Sequence, residues 1–434
     1  MVDVVLGIQF GDEGKGKIID NLSIDYNIVA RFNGGNNAGH QIHINGIKHT
    51  LHLIPSGVFH NHTKNVIGTG CVIDPKSLNN EIENLKPFDK YILNRIFISE
   101  KAHLILPTHK ELDKLNELLK GDQKIGSTLK GIGPAYVDKI GRNGLRVGDI
   151  FTKDFHKKLK EIYNNHKNYI LFIKTIKPEL SEEIDNIILN LPQNLLDFLT
   201  EIEVIKTYNV INTEKFLNEA INDGLKILAE GAQGSMLDID HGTYPFCTSS
   251  NTNVSGVISG LGIAPQKINK VIGISKLYST RVGNGPFIVE LFDEVGEFLA
   301  TKGNEVGSTT GRKRRCGWLD LVPLKVAVEL NGITELCITK ADILSGLSEI
   351  KICGVYEDKK TGEKVSKIPI DHDEYLPYYF DFDGWDEDIS QIDTKEKLPK
   401  NLLKIFDFIE NSLNVKIKYV GNGPDRKNII KYNG

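Results

Sequence analysis

The chain has 434 residues, which is long enough for a large hydrophobic core. Its 53 basic and 57 acidic residues give a formal net charge of −4, and this near balance argues against general nucleic-acid or membrane-surface binding. The five cysteines are scattered and form no C-x-x-C pair, so we expect free thiols in a reducing compartment. The sequence has neither a signal peptide nor an apolar run of ~18 residues, which predicts a cytoplasmic protein without membrane contact.

Short apolar runs that end in glycine-rich turns recur along the chain. They are DVVLGIQF, NIVARFN, KNVIGTG, LKILAEGAQG, NKVIGISKLYSTRVGNG and ELCITKADILSG. Unalternating, β-branched runs of this kind predict strands that are buried on both faces of a mainly parallel sheet. Ligands bind at the carboxyl ends of such strands, so we expect the glycine-rich turns to face one site. The predicted fold class is α/β, with a large, mostly parallel central sheet flanked by helices.

Helical spacing lies between these runs, in SLNNEIENL, in THKELDKLNELLKG and in a long region at about residues 154–203. We interpret the long region as a helical excursion from a single domain that spans residues 1–434; an independent helical bundle is the alternative. After residue 351 the chain becomes acidic and aromatic, which indicates a small peripheral subdomain at about residues 351–400.

The stretch GDEGKGKI lies between the first predicted strand and a helix. Gly11, Gly16 and Lys17 match the phosphate-binding pattern G-x-x-x-x-G-K, in which backbone N–H groups and a lysine bind phosphate. This context predicts a P-loop NTPase-like fold. Ile18, however, replaces the Ser or Thr that would hold magnesium, and Asp12 brings negative charge to the loop. The Asp12 carboxylate could bind magnesium or take a proton from a second substrate, and a purely structural turn is the remaining alternative.

Other glycine-rich turns carry side chains that suit anion or base recognition. His40 in NGGNNAGH could donate to phosphate oxygens or to a developing negative charge. Thr128 suits a phosphate monoester, and Arg142 follows it as a possible anion partner. Gln233 could bind a base edge, and Thr248 lies in the turn after it. Each of these residues could instead serve only packing or a turn.

Two charged motifs complete the set. Four adjacent cations at residues 312–315 indicate either a carboxylate or phosphate clamp or, as the alternative, a nuclear-localisation or nucleic-acid patch. Lys340 and Asp342 form the K-x-D half of a guanine-specific motif, because one carboxylate can accept both the N1–H and the amino hydrogens of guanine. The lysine stem can cover the ring. Together the motifs predict a GTP-dependent reaction that joins two further substrates.

The order of the motifs resembles that of the adenylosuccinate synthetase family over essentially the whole chain. The matching segments are QFGDEGKGK, FNGGNNAGH, LHLIPSG, GIGPAY, EGAQG, LDIDHGTYP, TSSNT, YSTRVGNGPF, TTGRKRRCGWLD and GPDR. The resemblance implies that GTP, IMP and L-aspartate give GDP, phosphate and adenylosuccinate, the committed step of AMP synthesis. It also implies a 6-phosphoryl-IMP intermediate, one Mg²⁺ per subunit and a homodimer.

The resemblance further implies roles for individual residues. Asp12 would be the base that removes the N1 proton of IMP, His40 the acid that stabilises phosphoryl transfer, and Gln233 the group that holds the reacting base edge. Asp12 and the carbonyl of Gly39 would bind the magnesium. The residues implied for GTP are Gly11, Asp12, Glu13, Gly14, Lys15, Gly16, Lys17, Gly39, His40, Gln41, Arg314, Lys340, Ala341, Asp342, Gly421, Asn422 and Gly423.

The IMP and aspartate contacts complete the implied site. Those for IMP are Asp12, Glu13, Gly14, Lys15, Asn37, Ala38, Gly39, His40, Thr128, Arg142, Gln233, Thr248 and Arg312, with Arg142 reaching in from the other subunit. Those for aspartate are Ser308, Thr309, Thr310, Gly311, Arg312, Lys313 and Arg314.

Some positions depart from the usual pattern of the family, namely Phe10, Gln41, Lys130 and Ala341. None removes a group with an implied chemical role, so we expect altered affinities and retained activity. A viral branch of the family that acts on a deoxyguanylate lacks the catalytic Asp, so Asp12 indicates IMP as the substrate. The competing hypothesis is a GTPase switch, which predicts GTP hydrolysis without IMP.

Overall fold

Ten strands form the central sheet of the computed structural model, which describes residues 1–121, 124–307 and 311–433. Their order is β20-β19-β15-β11-β1-β10-β2-β5-β7-β9. The strands of the described chain are β1 (Val2–Gly7), β2 (Ile28–Arg31), β3 (His40–Ile44), β4 (Ile47–Leu51), β5 (Lys64–Ile67), β6 (Val72–Ile73), β7 (Ile96–Ser99), β8 (His103–Leu104), β9 (Asn209–Ile211), β10 (Ile227–Glu230), β11 (Ile268–Lys276), β12 (Ser279–Arg281), β13 (Arg315–Gly317), β14 (Leu319–Asp320), β15 (Glu335–Thr339), β16 (Leu347–Asp358), β17 (Lys364–Val365), β18 (Tyr375–Trp385), β19 (Ile417–Gly421) and β20 (Ile429–Lys431).

The apolar runs predicted as strands form the middle of this sheet, in the order β15-β11-β1-β10-β2-β5. Each pairs in parallel with its neighbours, and every residue of β2 and β10 is buried. Burial on both faces explains why the runs do not alternate between apolar and polar residues. The prediction of a large, mostly parallel α/β sheet is therefore confirmed, and β20 adds an antiparallel edge.

Helices, which include all those predicted from the sequence, flank the sheet. They are α1 (Lys15–Leu22), α2 (Pro75–Leu85), α3 (Pro107–Leu119), α4 (Ile132–Gly141), α5 (Phe155–Ile176), α6 (Ser181–Ile205), α7 (Thr213–Asn222), α8 (Ser255–Leu261), α9 (Glu294–Lys302), α10 (Leu321–Asn331) and α11 (Lys400–Leu413). Among the described residues, no helix combines the length and apolar character needed to cross a bilayer.

The long helices α5 and α6 occupy the region predicted as a helical excursion. They pack on α3 through a small separate core that includes Leu115, Ile170, Ile173, Ile184 and Leu191. The region at residues 351–400 contains the antiparallel partners of β16, namely β17 and β18. The assignment of residues 1–434 to a single domain remains a prediction.

Candidate functional site

The loops that follow β1, β2 and β10 contact one another closely. A Cβ atom added to Gly16 would lie 2.8 Å from Cβ of His40, and one added to Gly11 would lie 3.7 Å from Cα of Gln233. The glycines of the first loop therefore allow the second and third loops to approach its backbone. These contacts bring three predicted segments together at the carboxyl ends of adjacent central strands, as expected for an α/β sheet.

The two acids of the first loop have different environments. Glu13 is fully buried, and its carboxylate accepts hydrogen bonds from the backbone N–H groups of Gln9 (3.2 Å) and Gly11 (2.8 Å) and pairs with Lys15 (2.5 Å). It therefore stabilises the loop from inside, so a contact of Glu13 with nucleotide would come from its backbone. The Asp12 side chain is 27% exposed and faces the cationic segment described below.

Lys17, in the first turn of α1, contacts the loop that follows β19. Lys17 is buried, and its ammonium donates to the carbonyl oxygens of Gly423 (2.7 Å) and Asn428 (3.2 Å). A Cβ at Gly421 would approach the Lys17 Nζ to 3.0 Å, so the glycine lets the ammonium lie close to this backbone. Burial lowers the pKa of Lys17 to about 8. A phosphate next to this ammonium would favour its charged form.

His40 is held by a carboxylate that the sequence did not identify. Its Nδ1 lies 2.5 Å from Oε1 of Glu230, the last residue of β10, and Glu230 also accepts from the backbone N–H (2.7 Å) and hydroxyl (3.0 Å) of Ser56. Burial lowers the pKa of His40, although Glu230 acts in the opposite direction. Within the described part of the chain, the buried Nε2 of His40 has no hydrogen-bond partner. This nitrogen is therefore available to a ligand.

Gln233 also has unpartnered polar atoms. Its backbone adopts the left-handed conformation (φ 60°), and both Oε1 and Nε2 are buried without a partner among the described residues. A Cβ at Gly34 would lie 3.0 Å from Gln233 Oε1, so the neighbouring loop leaves room for the amide. A buried amide without hydrogen bonds is unfavourable by about 1–3 kcal/mol per group. A ligand that offers a donor and an acceptor side by side, such as a purine edge, would satisfy it.

A cavity of about 380 Å³ lies beside the K-x-D motif. It is lined by Lys302, Asp342, Ser345, Gly346, Asp386, Asp388 and Ser390. Burial raises the pKa of Asp342. The Lys340 ammonium binds the carbonyl of Gly303 (2.8 Å) and the carboxylate of Glu305 (2.6 Å), which directs it toward α9. The acidic run DGWDEDIS thus supplies part of the cavity wall, a role that its composition alone did not indicate.

The four adjacent cations do not form one continuous patch. Arg312 donates to the carbonyl of Gly126 (2.7 Å) in the turn that leads to Thr128, whereas Arg314 binds Asp12 through Nε (2.8 Å). Arg315 pairs with Glu290. The separate partners of Arg312, Arg314 and Arg315 argue against one continuous nucleic-acid patch.

The remaining predicted residues differ in their surroundings. Asn37 accepts from the backbone N–H of Gly35 (3.1 Å), and Ala38 accepts from His52 (2.6 Å). Arg142 is exposed at the end of α4, and its side chain makes no hydrogen bond or ion pair with the described residues. The residues that are half-buried are Thr128, Thr248 and Gln41, and Ala341 and Asn422 are buried.

The side chain of Asn422 binds the backbone of a neighbouring segment. Asn422 donates to the carbonyls of Ile389 (2.7 Å) and Ile392 (2.8 Å), so its side chain braces the chain next to the cavity. The predicted aspartate contacts Ser308, Thr309 and Thr310 lie outside the described residues.

A metal-like cluster occurs between α3, α4 and α5, at His109, Asp138 and His166. Both imidazoles bind Asp138 Oδ2, from His109 Nε2 (2.9 Å) and His166 Nε2 (3.0 Å). The backbone N–H of Leu106 donates to His109 Nδ1 (3.0 Å), so Nε2 must carry the proton that Asp138 accepts. That nitrogen has no lone pair left for a metal, and the cluster is best described as a hydrogen-bonded link between α3, α4 and α5.

Comparisons with known proteins agree over almost the whole chain. The model of the adenylosuccinate synthetase family matches residues 4–430. The adenylosuccinate synthetase of Flavobacterium johnsoniae is 51% identical over 431 residues, which is 99% of each chain. The fully ligated adenylosuccinate synthetase of Plasmodium falciparum superposes with a TM-score of 0.87 at 41% identity, covering 99% of each chain. The succinoaminodeoxyadenylate synthetase of cyanophage S-2L covers 99% of this chain and 95% of its own with a TM-score of 0.62; at 18% identity it shows a shared fold alone.

Proposed function

The chain belongs to the adenylosuccinate synthetase family, and on that premise we propose which of its residues perform the reaction. It ligates L-aspartate to IMP with GTP in the synthesis of AMP. One observation supports the assignment of roles above all others. His40 Nε2 and both amide atoms of Gln233 are buried without partners in the described chain, on the loops that contact the loop of Asp12.

The proposed first step uses Asp12 as a base. Its carboxylate takes the N1 proton of IMP, while Gln233 holds the same edge of the base, and the electron pair moves toward O6. O6 then attacks the γ-phosphorus of GTP, the bond to the β–γ bridging oxygen breaks, and GDP leaves. The product is 6-phosphoryl-IMP. In the second step the aspartate amine attacks C6 and loses a proton, and the C6–O bond breaks, so that hydrogen phosphate leaves with that proton and adenylosuccinate remains.

His40 would act on the transferring phosphoryl group. Glu230 already accepts the Nδ1 proton, so only Nε2 can face a substrate. Burial keeps the free imidazole neutral by lowering its pKa, but a phosphoryl oxygen at Nε2 would favour the protonated ring. His40 would then donate a hydrogen bond to the negative charge of the transition state.

We propose one Mg²⁺ held by the Asp12 carboxylate and the Gly39 carbonyl. Both are oxygen donors of the kind that magnesium prefers, and magnesium commonly takes one or two carboxylates plus substrate phosphates. When bound, the ion would neutralise charge on the phosphates of GTP.

We also propose a homodimer in which Arg142 contacts IMP bound to the partner subunit. Arg142 follows α4, on which Val137 is 70% exposed and Ile140 is 77% exposed. Apolar side chains beside an unengaged guanidinium on the described surface suit a protein interface that ends at a ligand. The five thiols are all free, which supports a reducing, cytoplasmic location.

Isotope exchange tests the proposed order of steps. GTP carrying an isotopic oxygen at the β–γ bridge is incubated with IMP and magnesium but without aspartate. Reversible formation of 6-phosphoryl-IMP frees the β-phosphate of GDP to rotate, so the label should move to non-bridging positions. A bridge label that stays in place with IMP bound would contradict the intermediate.

A further inference from the structure

Glu305 lies at the centre of a buried group of charges. Its side chain has 0% exposure, and it pairs with Arg314 NH1 (2.5 Å), Lys340 Nζ (2.6 Å) and Lys276 Nζ (3.4 Å). The hydroxyl of Tyr278 donates to the same carboxylate. These donors fill the acceptor positions of both carboxylate oxygens, so Glu305 itself has no capacity left for a substrate.

The local backbone explains why a glutamate reaches this position. Helix α9 ends at Lys302, and Asn304 adopts the left-handed conformation (φ 47°), which turns the chain inward. Glu305 then accepts the backbone N–H of Arg314 (2.9 Å), so its main chain and its side chain both bind this arginine. Arg314 is thereby held to Glu305 at two points.

The charges around Glu305 are unequal. Burial alone would raise its pKa, but Lys276, Lys340 and Arg314 overcome that effect and hold the pKa well below its usual range. The carboxylate is therefore ionised, and the three cations leave positive charge that it does not neutralise. Surplus positive charge in a buried site favours the binding of anionic ligands.

Two of the three cations extend to opposite parts of the proposed site. Arg314 NH1 binds Glu305 while Nε of the same guanidinium binds Asp12 (2.8 Å). Lys340 precedes Asp342 of the cavity and also binds the Gly303 carbonyl (2.8 Å) at the end of α9. A single carboxylate thus connects the proposed base with the proposed guanine pocket.

We propose that Glu305 is a positioning residue, which holds Arg314 beside Asp12 and Lys340 beside the cavity that contains Asp342. This inference rests on the proposed function, because the positions of Arg314 and Lys340 affect substrate binding only if aspartate and GTP bind beside them. Loss of the Glu305 charge releases both cations together. Gln233 and Thr128 are not among the hydrogen-bond or ion-pair partners of Glu305 in the described chain, so we expect their positions to be retained.

The test compares Glu305→Gln with Glu305→Asp and with Glu290→Gln. Glu290 is a matched control, because it is a carboxylate that pairs with the adjacent Arg315, whereas Arg314 pairs with Glu305 and Asp12. For Glu305→Gln we expect KM for GTP and for aspartate to rise roughly 10- to 100-fold, the range for losing a hydrogen bond to a charged group. KM for IMP should rise less than these two values, because only Asp12 among the proposed IMP contacts binds Arg314 through a side-chain ion pair. Glu305→Asp, which keeps the charge but shortens the reach, should fall between this variant and the wild type.

The outcomes separate the inference from the proposed function. If the wild type does not couple GTP cleavage to IMP and aspartate, the proposed function fails. If the wild type does so and Glu305→Gln raises all three KM values equally, or none, the positioning role is overturned. Unfolding of both Glu305 variants, with Glu290→Gln folded, would make Glu305 a folding residue and would also overturn it. Altered kinetics in Glu290→Gln equal to those of Glu305→Gln would do the same.

Discussion

Two of the histidine–carboxylate units in the described chain look alike and differ in one respect. At the proposed site His40 binds Glu230 through Nδ1, and its Nε2 has no partner among the described residues. In the helical region His109 binds Asp138 through Nε2, and its Nδ1 accepts from the backbone N–H of Leu106. A buried polar atom without a partner is unfavourable unless a ligand satisfies it. The difference indicates a ligand site in the first case and a structural link in the second.

The largest expected effect concerns Asp12, whose loop contacts His40. Asp12→Asn removes the proposed base and one charge partner of Arg314 but keeps the size of the side chain. We expect kcat to fall by about three orders of magnitude, within the range for general-base catalysis, with little change in thermal stability. Steady-state kinetics and thermal unfolding measure the two quantities. Near-normal turnover of the folded variant would exclude Asp12 as the base.

His40→Asn should have the next largest effect. It removes the proposed donor to the phosphoryl group, so we expect kcat to fall by about two orders of magnitude. His166→Asn is the matched control, because His166 also lies within hydrogen-bond distance of a carboxylate, at Asp138 (3.0 Å). That variant should lose stability and keep kcat. If the two substitutions reduce kcat equally, the distinction between the two histidine units is wrong.

Asp138→Asn tests the structural role of the second unit. Both imidazoles bind one oxygen of Asp138, and their hydrogen bonds hold its pKa well below the usual range although burial acts against this. We expect the free energy of unfolding at neutral pH to fall by about 2 kcal/mol, as for a lost hydrogen bond to a charged group. Added zinc should not change the melting temperature of the wild type. Stabilisation by zinc that Asp138→Asn abolishes would instead indicate a metal site.

The sequence predicts the central strands and the turns after them, but it does not predict the carboxylates that hold the site residues in place. The six central strands were predictable because burial on both faces leaves a continuous apolar run, and the turns after them include Asp12, His40 and Gln233. Glu230 and Glu305 were missed. Glu230 belongs to the same run as β10, and nothing in its spacing indicates that it binds a histidine 190 positions away.

The last prediction concerns only the pH dependence of stability, through Glu81, a buried carboxylate on α2. Glu81 accepts from the backbone N–H groups of His52 (2.9 Å), Leu53 (3.0 Å) and Ile54 (3.1 Å). Burial raises the pKa of Glu81 from 4.5 to about 7. Between these values the folded state holds more protons than the unfolded state, so the Glu81 contribution to stability is complete below pH 4.5 and is lost as the pH rises through 7.

Glu81→Gln removes this titration. The free energy of unfolding of the wild type, relative to that of the variant, should decrease by up to about 1.4 kcal/mol per pH unit across this window. Urea unfolding at both ends of the window measures the difference. A difference that increases with pH would contradict the assigned direction of the pKa shift.

The most direct test of the central claim is phosphate release from GTP when each co-substrate is omitted in turn. In the proposed steps phosphate leaves only when aspartate attacks 6-phosphoryl-IMP. The wild-type chain should therefore release phosphate only when GTP, IMP and aspartate are all present with magnesium. A GTPase switch that uses Lys340 and Asp342 would hydrolyse GTP without the others. Continued release with IMP absent would contradict the account; strict dependence on both IMP and aspartate is the result that it predicts.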